Sequence, residues 1–238
     1  MIADEDQDCI NARHAAWAHQ AELENRERNE PMKIPVKHSM EYEPAPAGNH
    51  LALCNAVVDL GVQSQGVPPK FKRMVLLRFE LPTETISYEK DGKQVTAPMT
   101  VHRKFTATMH EKGSLRQFIE SWFGKPFPSD AAASEFDLKQ LLGRKCLLNL
   151  THKQVNGMTY CNVTSAAPIP KGMPADYTLH NTSMYYDLDH PDAGAFELLP
   201  EWMRKVIERR IIEPSDADKK KAAAGEAAVE DFDDDIPF

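Results

Sequence analysis

Two runs of strict alternation, joined through a glycine turn, constrain this chain more than any other feature. From Lys70 to Leu81, Phe71, Val75, Leu77, Phe79 and Leu81 share one face. Lys72, Met74, Leu76, Arg78 and Glu80 share the other. From Val101 to His110, Val101, Arg103, Phe105, Ala107 and Met109 alternate against His102, Lys104, Thr106, Thr108 and His110. A period of two is that of a strand with two unlike faces. Between these runs, Ile86–Glu89 and Gln94–Thr96 flank Lys90-Asp91-Gly92-Lys93. Asp-Gly supplies the positive φ values that a tight hairpin turn needs. An earlier strand signal runs from Asn49 to Leu60 and ends at Gly61.

The period then changes. Leu115, Phe118, Ile119 and Trp122 recur at helical spacing, and Gly124 closes the pattern. Ser114 with Gln117 reads as a capping box. Phe136 to Leu142 predicts a second short helix stopped by Gly143. Strands resume over Cys146–Lys153 and Met158–Ala166, joined by Asn156-Gly157. Strands, one inserted helix and two more strands predict a mainly β fold, a five-stranded OB-type barrel with an inserted helix. A small β-sandwich with a helical excursion produces a similar string.

Four segments follow. Residues 1–39 read as a helical or flexible extension with a loose apolar stripe. Residues 40–172 hold the barrel domain. Residues 173–213 are a polar extension with a short helix beginning near Pro200-Glu201-Trp202. Residues 214–238 have no periodic apolar face before the terminus and predict a disordered linker and acidic tip. Charge follows these boundaries. Residues 1–39 are net −3, residues 40–172 net +4 and residues 173–238 net −9, within a total of −8. A mildly basic middle between acidic ends keeps nucleic acid open as a partner.

Other classes are poorly supported. Cys9, Cys54, Cys146 and Cys161 form no close pair of the kind metal ligands favour. Cys146 and Cys161 lie in strand runs, where a thiol packs as a small hydrophobe. No cofactor or metal is expected. No apolar run approaches a membrane span, and the acidic N-terminus lacks a signal core, so a cytosolic protein without membrane contact is expected. His110-Glu111-Lys112-Gly113 invites an acid–base reading. Without a nucleophile, a base and an orienting group together, however, it reads as a turn, and no enzyme is expected.

The terminus Asp233-Asp234-Asp235-Ile236-Pro237-Phe238 resembles the C-terminal tip of bacterial single-stranded DNA-binding proteins. The middle of the chain is similar to phage-encoded single-stranded DNA-binding proteins with an OB-fold. The stretches that carry this are Pro46-Ala47-Gly48, His110–Arg116, Phe136-Asp137-Leu138, Leu141–Asn149, Tyr160–Val163 and Leu199-Pro200-Glu201-Trp202. The likeness covers roughly residues 40–213. The resemblance implies a protein that coats DNA during phage replication, recombination and repair in the bacterial host's cytoplasm. It also implies that replication, recombination or repair proteins bind Asp233, Asp234, Asp235, Ile236, Pro237 and Phe238. Aspartates that steer toward basic pockets and an apolar anchor with a terminal carboxylate suit that role.

Single-strand binding combines cations along the backbone path with aromatic faces for stacking; bacterial single-stranded DNA-binding proteins are the standard example. Strand alternation offers Lys72, Arg78, His102, Lys104, Asn149 and Lys153 as DNA-binding residues, Lys70 and Arg73 join them at the same strand start, and Tyr160 stacks a base, with Tyr88 doing so from the hairpin. A second reading is an interaction module whose tip mimics the host's and captures or blocks host repair enzymes. Homo-oligomerisation is compatible with either.

Overall fold

The computed structural model describes residues 19–20, 43–66, 68–90, 92–155, 157–173 and 176–212, the side chain of Lys90 excepted. The chain divides into two units, Met1–Tyr42 and Glu43–Phe238. In the first, His19 and Gln20 are helical and exposed. The expectations for the rest of residues 1–39, and for the linker and tip after residue 213, lie outside the described residues.

The second unit is mainly β. Its elements are β1 (Gly48–Gln65), β2 (Lys70–Lys90), β3 (Lys93–Thr106), α1 (Ser114–Phe123), α2 (Asp130–Ser134), a 3-10 turn (Leu138–Leu141), β4 (Lys145–Val155) and β5 (Met158–Ala167). Then come β6 (Met184–Tyr186), α3 (Ala193–Leu198) and α4 (Glu201–Glu208). Five antiparallel strands lie in the order β3-β2-β1-β4-β5, and β6 pairs with β1 in parallel.

The sheet curls until its two edge strands meet across one side chain. Arg103 on β3 donates from one terminal nitrogen to the carbonyls of Val163, 3.2 Å away, and Thr164, 2.8 Å away, on β5. Its guanidinium also lies 4.8 Å over the Phe105 ring. The alternation that puts Arg103 on the core phase has a physical use: its guanidinium there bonds two carbonyls of the opposite edge strand.

Helix α1 packs against both β3 and β5. Its stripe of Leu115, Phe118, Ile119 and Trp122 is buried. Phe118 meets Phe105 and Phe79 at 4.9 and 6.0 Å, and the Trp122 indole N–H donates to Lys145 O at 2.9 Å. Burying four such side chains contributes about 6–12 kcal/mol before entropy. The helix begins one residue earlier than the capping box predicts. Gly113 is the N-cap, and no side chain caps the helix. At the other end Gly124 has φ 66°, and a Cβ there would lie 2.7 Å from Pro168 Cγ. Glycine is required twice, by the left-handed turn and by that contact.

β1, β2 and β4 run longer than the alternation predicts, whereas β3 stops at Thr106, short of the expected His110, where the chain turns toward α1. β1 continues through Gly61 to Gln65, with register shifts between Cys54 and Ala56 and between Asp59 and Gly61. Gly61 is a bulge residue inside the strand (φ 71°) rather than its end. The helix expected over 136–142 is a single 3-10 turn after the unforeseen α2.

Two cores sandwich β1 and β2. The inner one joins Cys54, Val57, Leu77, Phe79, Phe105, Cys146 and the α1 stripe. The outer one joins Ala56, Val58, Leu60, Met74 and Leu76 to Met184, Tyr186, Leu199, Met203 and Ile207. Residues 176–212 therefore form a strap over the outer face of β1 and β2. β6 takes the β1 edge at Ala56–Val58, beyond the point where β4 leaves it at Leu53. Covering an otherwise unpaired edge removes a template for unwanted strand pairing. Glu80, fully buried, holds the strap. One of its oxygens accepts from His180 N (2.7 Å), and the other from Asn181 N (2.9 Å) and Asn181 Nδ2 (2.6 Å). Arg73 pairs with Asp189 and Ile211 N donates to Val62 O, adding two further ties.

Candidate nucleic-acid interface

The strap changes what the second face of β2 offers. Met74, Leu76 and Glu80 are buried beneath it. Arg78, half-buried between Leu76 and Glu80 on β2, and His102 and Lys104 beside it on β3 keep access to solvent. Arg78 stands opposite His102 and Leu76 opposite Lys104 in the ladder, so the three basic groups share one patch of the outer face. α4 adds a fourth member. Its Met203 and Ile207 are buried in the outer core, and that anchoring leaves Trp202 40% exposed over His102. The two rings are 4.9 Å apart at 34°. The result is an indole platform with a surface face and cations beside it.

The electrostatics of this patch differ from those of the other arginines. Arg78 Nε donates to Asn55 Oδ1 at 3.0 Å, which fixes the guanidinium. Among the described residues Arg78 makes no ion pair. Burial lowers its pKa, and the neighbouring Glu80 charge opposes that only in part. Burial also lowers the Lys104 pKa. His102 is lowered first by crowding and then by the Lys104 and Arg78 charges. Its ring still reaches solvent, which limits the depression. All three shifts disfavour the charged form, and an incoming anion would oppose each of them. Asn55, fully buried at the first bulge of β1, adds an Nδ2 with no hydrogen-bond partner among the described residues.

Arg73 and Arg116 are in the opposite condition. Arg73 is paired with Asp59 and Asp189, chiefly through the Asp59 hydrogen bonds, and its pKa rises. Arg116 bonds Glu120 at 3.0 Å and Asp130 at 2.6 Å. Both are already neutralised by protein carboxylates.

The other sequence-selected residues disperse. Lys70 and Lys72 lie at the start of β2, facing Gln65 and Gln63 of β1. Tyr88, 38% exposed, sits on the part of the β2–β3 ribbon that extends past β1. Asn149, Lys153 and Tyr160 lie on the β4–β5 hairpin, with β1 between them and the β2–β3 patch in the strand order. There Lys153 faces Tyr160 across the ladder, and Asn149 donates to Asn49 Oδ1 at 2.9 Å. The tip residues Asp233–Phe238 lie outside the described residues. Alternation did not select Trp202 or Asn55. Trp202 belongs to an eight-residue helix, too short to show a face, and Asn55 interrupts an apolar run.

Among the described residues no group of His, Cys, Asp and Glu is arranged to hold a metal ion, and no helix is long and apolar enough to cross a membrane. Compared with known proteins, the chain matches no family model and no curated sequence. The fold itself defines the class: a mainly β domain built on one curled antiparallel sheet with an inserted helix.

Proposed function

We propose that this chain binds single-stranded DNA with little sequence preference, across the outer face of β2 and β3, and that its domain is an OB-type barrel. The strand order β3-β2-β1-β4-β5, with the ends drawn together at Arg103 and a helix between β3 and β4, supports the barrel. OB domains characteristically bind oligonucleotides on the strand 2–3 face. The observation that carries the function is the juxtaposition of Arg78, His102 and Lys104 with the exposed Trp202 ring. Arg78 and Lys104 hold phosphates, His102 sits between them, and Trp202 stacks a base. The acidic tip recruits replication, recombination or repair proteins, as its resemblance to the tip of bacterial single-stranded DNA-binding proteins implies.

The test is fluorescence anisotropy of a labelled oligo-dT with the full chain at low and moderate salt, with duplex of equal length as competitor. Two to three phosphate contacts predict a slope of log K against log salt near −2. Duplex should not displace the oligonucleotide. Absence of binding at low salt refutes the proposal.

A further inference from the structure

At the C-terminal end of α1, an open cleft of about 570 Å3 that shares no lining residue with the β2–β3 patch has no role in DNA binding as proposed. Its floor is aromatic. Phe136 meets Phe123 at 5.8 Å and Phe127 at 5.3 Å, with ring planes 71° and 66° apart. Lys125, Arg144 and Lys145 lie around it. The Arg144 guanidinium is exposed, lies 4.9 Å over the Phe123 ring and is held by a bond from Nε to Gln140 O at 2.9 Å. Among the described residues none that lines the cleft is acidic. In a chain of net charge −8, this is a concentrated place for an anion with an apolar anchor. The tilted rings leave no parallel slot for a flat base, so the floor suits a peptide side chain better than a nucleotide.

The chain carries one segment of that chemistry. We propose that the cleft at the end of α1 binds this chain's own C-terminal residues Asp233–Phe238, with Phe238 on the aromatic floor and the carboxylates toward Lys125 and Arg144. Reach permits it. Twenty residues separate Ile212, the last described, from Asp233. Fully extended they span about 70 Å, against about 40 Å across a domain of this size. Tethering also gives the segment an effective concentration of order millimolar, so a weak peptide site would be occupied. The proposal stands apart from the DNA reading, because neither the cleft nor the tip belongs to the β2–β3 patch.

The experiment is carbodiimide cross-linking of the dilute full chain, which joins carboxylates to nearby lysines, read by mass spectrometry. Cross-links from residues 230–238 should fall mainly on Lys125 and Lys145. Arg144→Glu, at an exposed position, should reduce them at least tenfold while the melting temperature is kept; Lys125→Glu repeats the test on a second residue. Several millimolar of the free peptide Asp-Asp-Asp-Ile-Pro-Phe should suppress them, and oligo-dT should not. Cross-links spread over Lys93, Lys153 and Lys171, or concentrated on Lys72 and Lys104, would overturn the proposal. So would indifference to Arg144→Glu, and so would displacement by oligo-dT but not by the peptide, which would assign the cleft to DNA.

Discussion

Glu80 is the residue whose replacement tests the structure most sharply. It is a fully buried carboxylate that accepts three N–H groups from His180 and Asn181. Glu80→Gln keeps the shape and replaces one acceptor oxygen with an NH2. The amide oxygen can stay with the two donors of Asn181, but the new NH2 then points at the His180 N–H. One donor is lost and a donor–donor contact is created, costing about 1–3 kcal/mol. Glu80→Ala removes all three bonds. The strap donors lie near enough to solvent to recover part of the loss, so about 2–4 kcal/mol is expected. Urea unfolding followed by circular dichroism reads both values. Hydrogen exchange should show that the loss begins in residues 176–212 and spares β4 and β5. Because the same strap carries Trp202 to His102, both variants should also weaken oligo-dT binding. Stability within about 0.5 kcal/mol of the unaltered chain, with unchanged protection of the strap, would refute the assignment of Glu80 as its anchor.

Three other expectations follow from the same geometry. Trp202→Ala should weaken oligo-dT binding about 5- to 150-fold, the equivalent of one lost stacking contact of about 1–3 kcal/mol, with little effect on unfolding because the ring is 40% exposed. Arg73→Ala should change DNA affinity less than about twofold, since its guanidinium is already committed to Asp59 and Asp189; a loss matching that of Arg78→Ala would contradict the separation of Arg73 from Arg78. His102 is lowered below its ordinary pKa by crowding and by Lys104 and Arg78. The unfolded chain therefore binds more protons between its folded value and about 6.5. The His102 contribution to stability is present above that range and is lost as pH falls through it. DNA phosphate favours the protonated ring, so affinity should tighten over the same fall in pH, and His102→Gln should flatten that response.

Much of the fold was legible in the sequence. The alternation at Val75–Leu81 and Val101–Phe105 identified the inner face because one side of those strands packs into the core that includes α1. Gly92 and Gly157, with φ of 73° and 80°, fall at the two hairpin connections, where turn chemistry acts locally. What escaped was the strap. The helix near Pro200 was expected, but β6 and α3, of three and six residues, are too short to show a period, and the apolar groups of all three find β1 and β2 only through the tertiary fold. The signal was present on the other side: Met74 and Leu76 stood on a face read as outward, and residues 51–58 are buried without a break, the pattern of a strand covered on both faces. The candidate site was legible in part. Arg78, His102 and Lys104 do come together, whereas Asn149, Lys153 and Tyr160 lie on the other half of the sheet, because alternation assigns a face but not a neighbourhood. Arg73 shows the same limit, since its carboxylate partners lie 14 residues before it and 116 after it in the chain.

The most direct test of the central claim is the affinity of labelled oligo-dT for the full chain against Arg78→Glu/Lys104→Glu. Two charge-assisted phosphate contacts of about 1.5–3 kcal/mol each predict a loss of more than about a hundredfold, with the melting temperature kept and the salt slope reduced by about 1.4. Affinity and slope within about twofold of the unaltered protein would contradict the placement of DNA on the β2–β3 face.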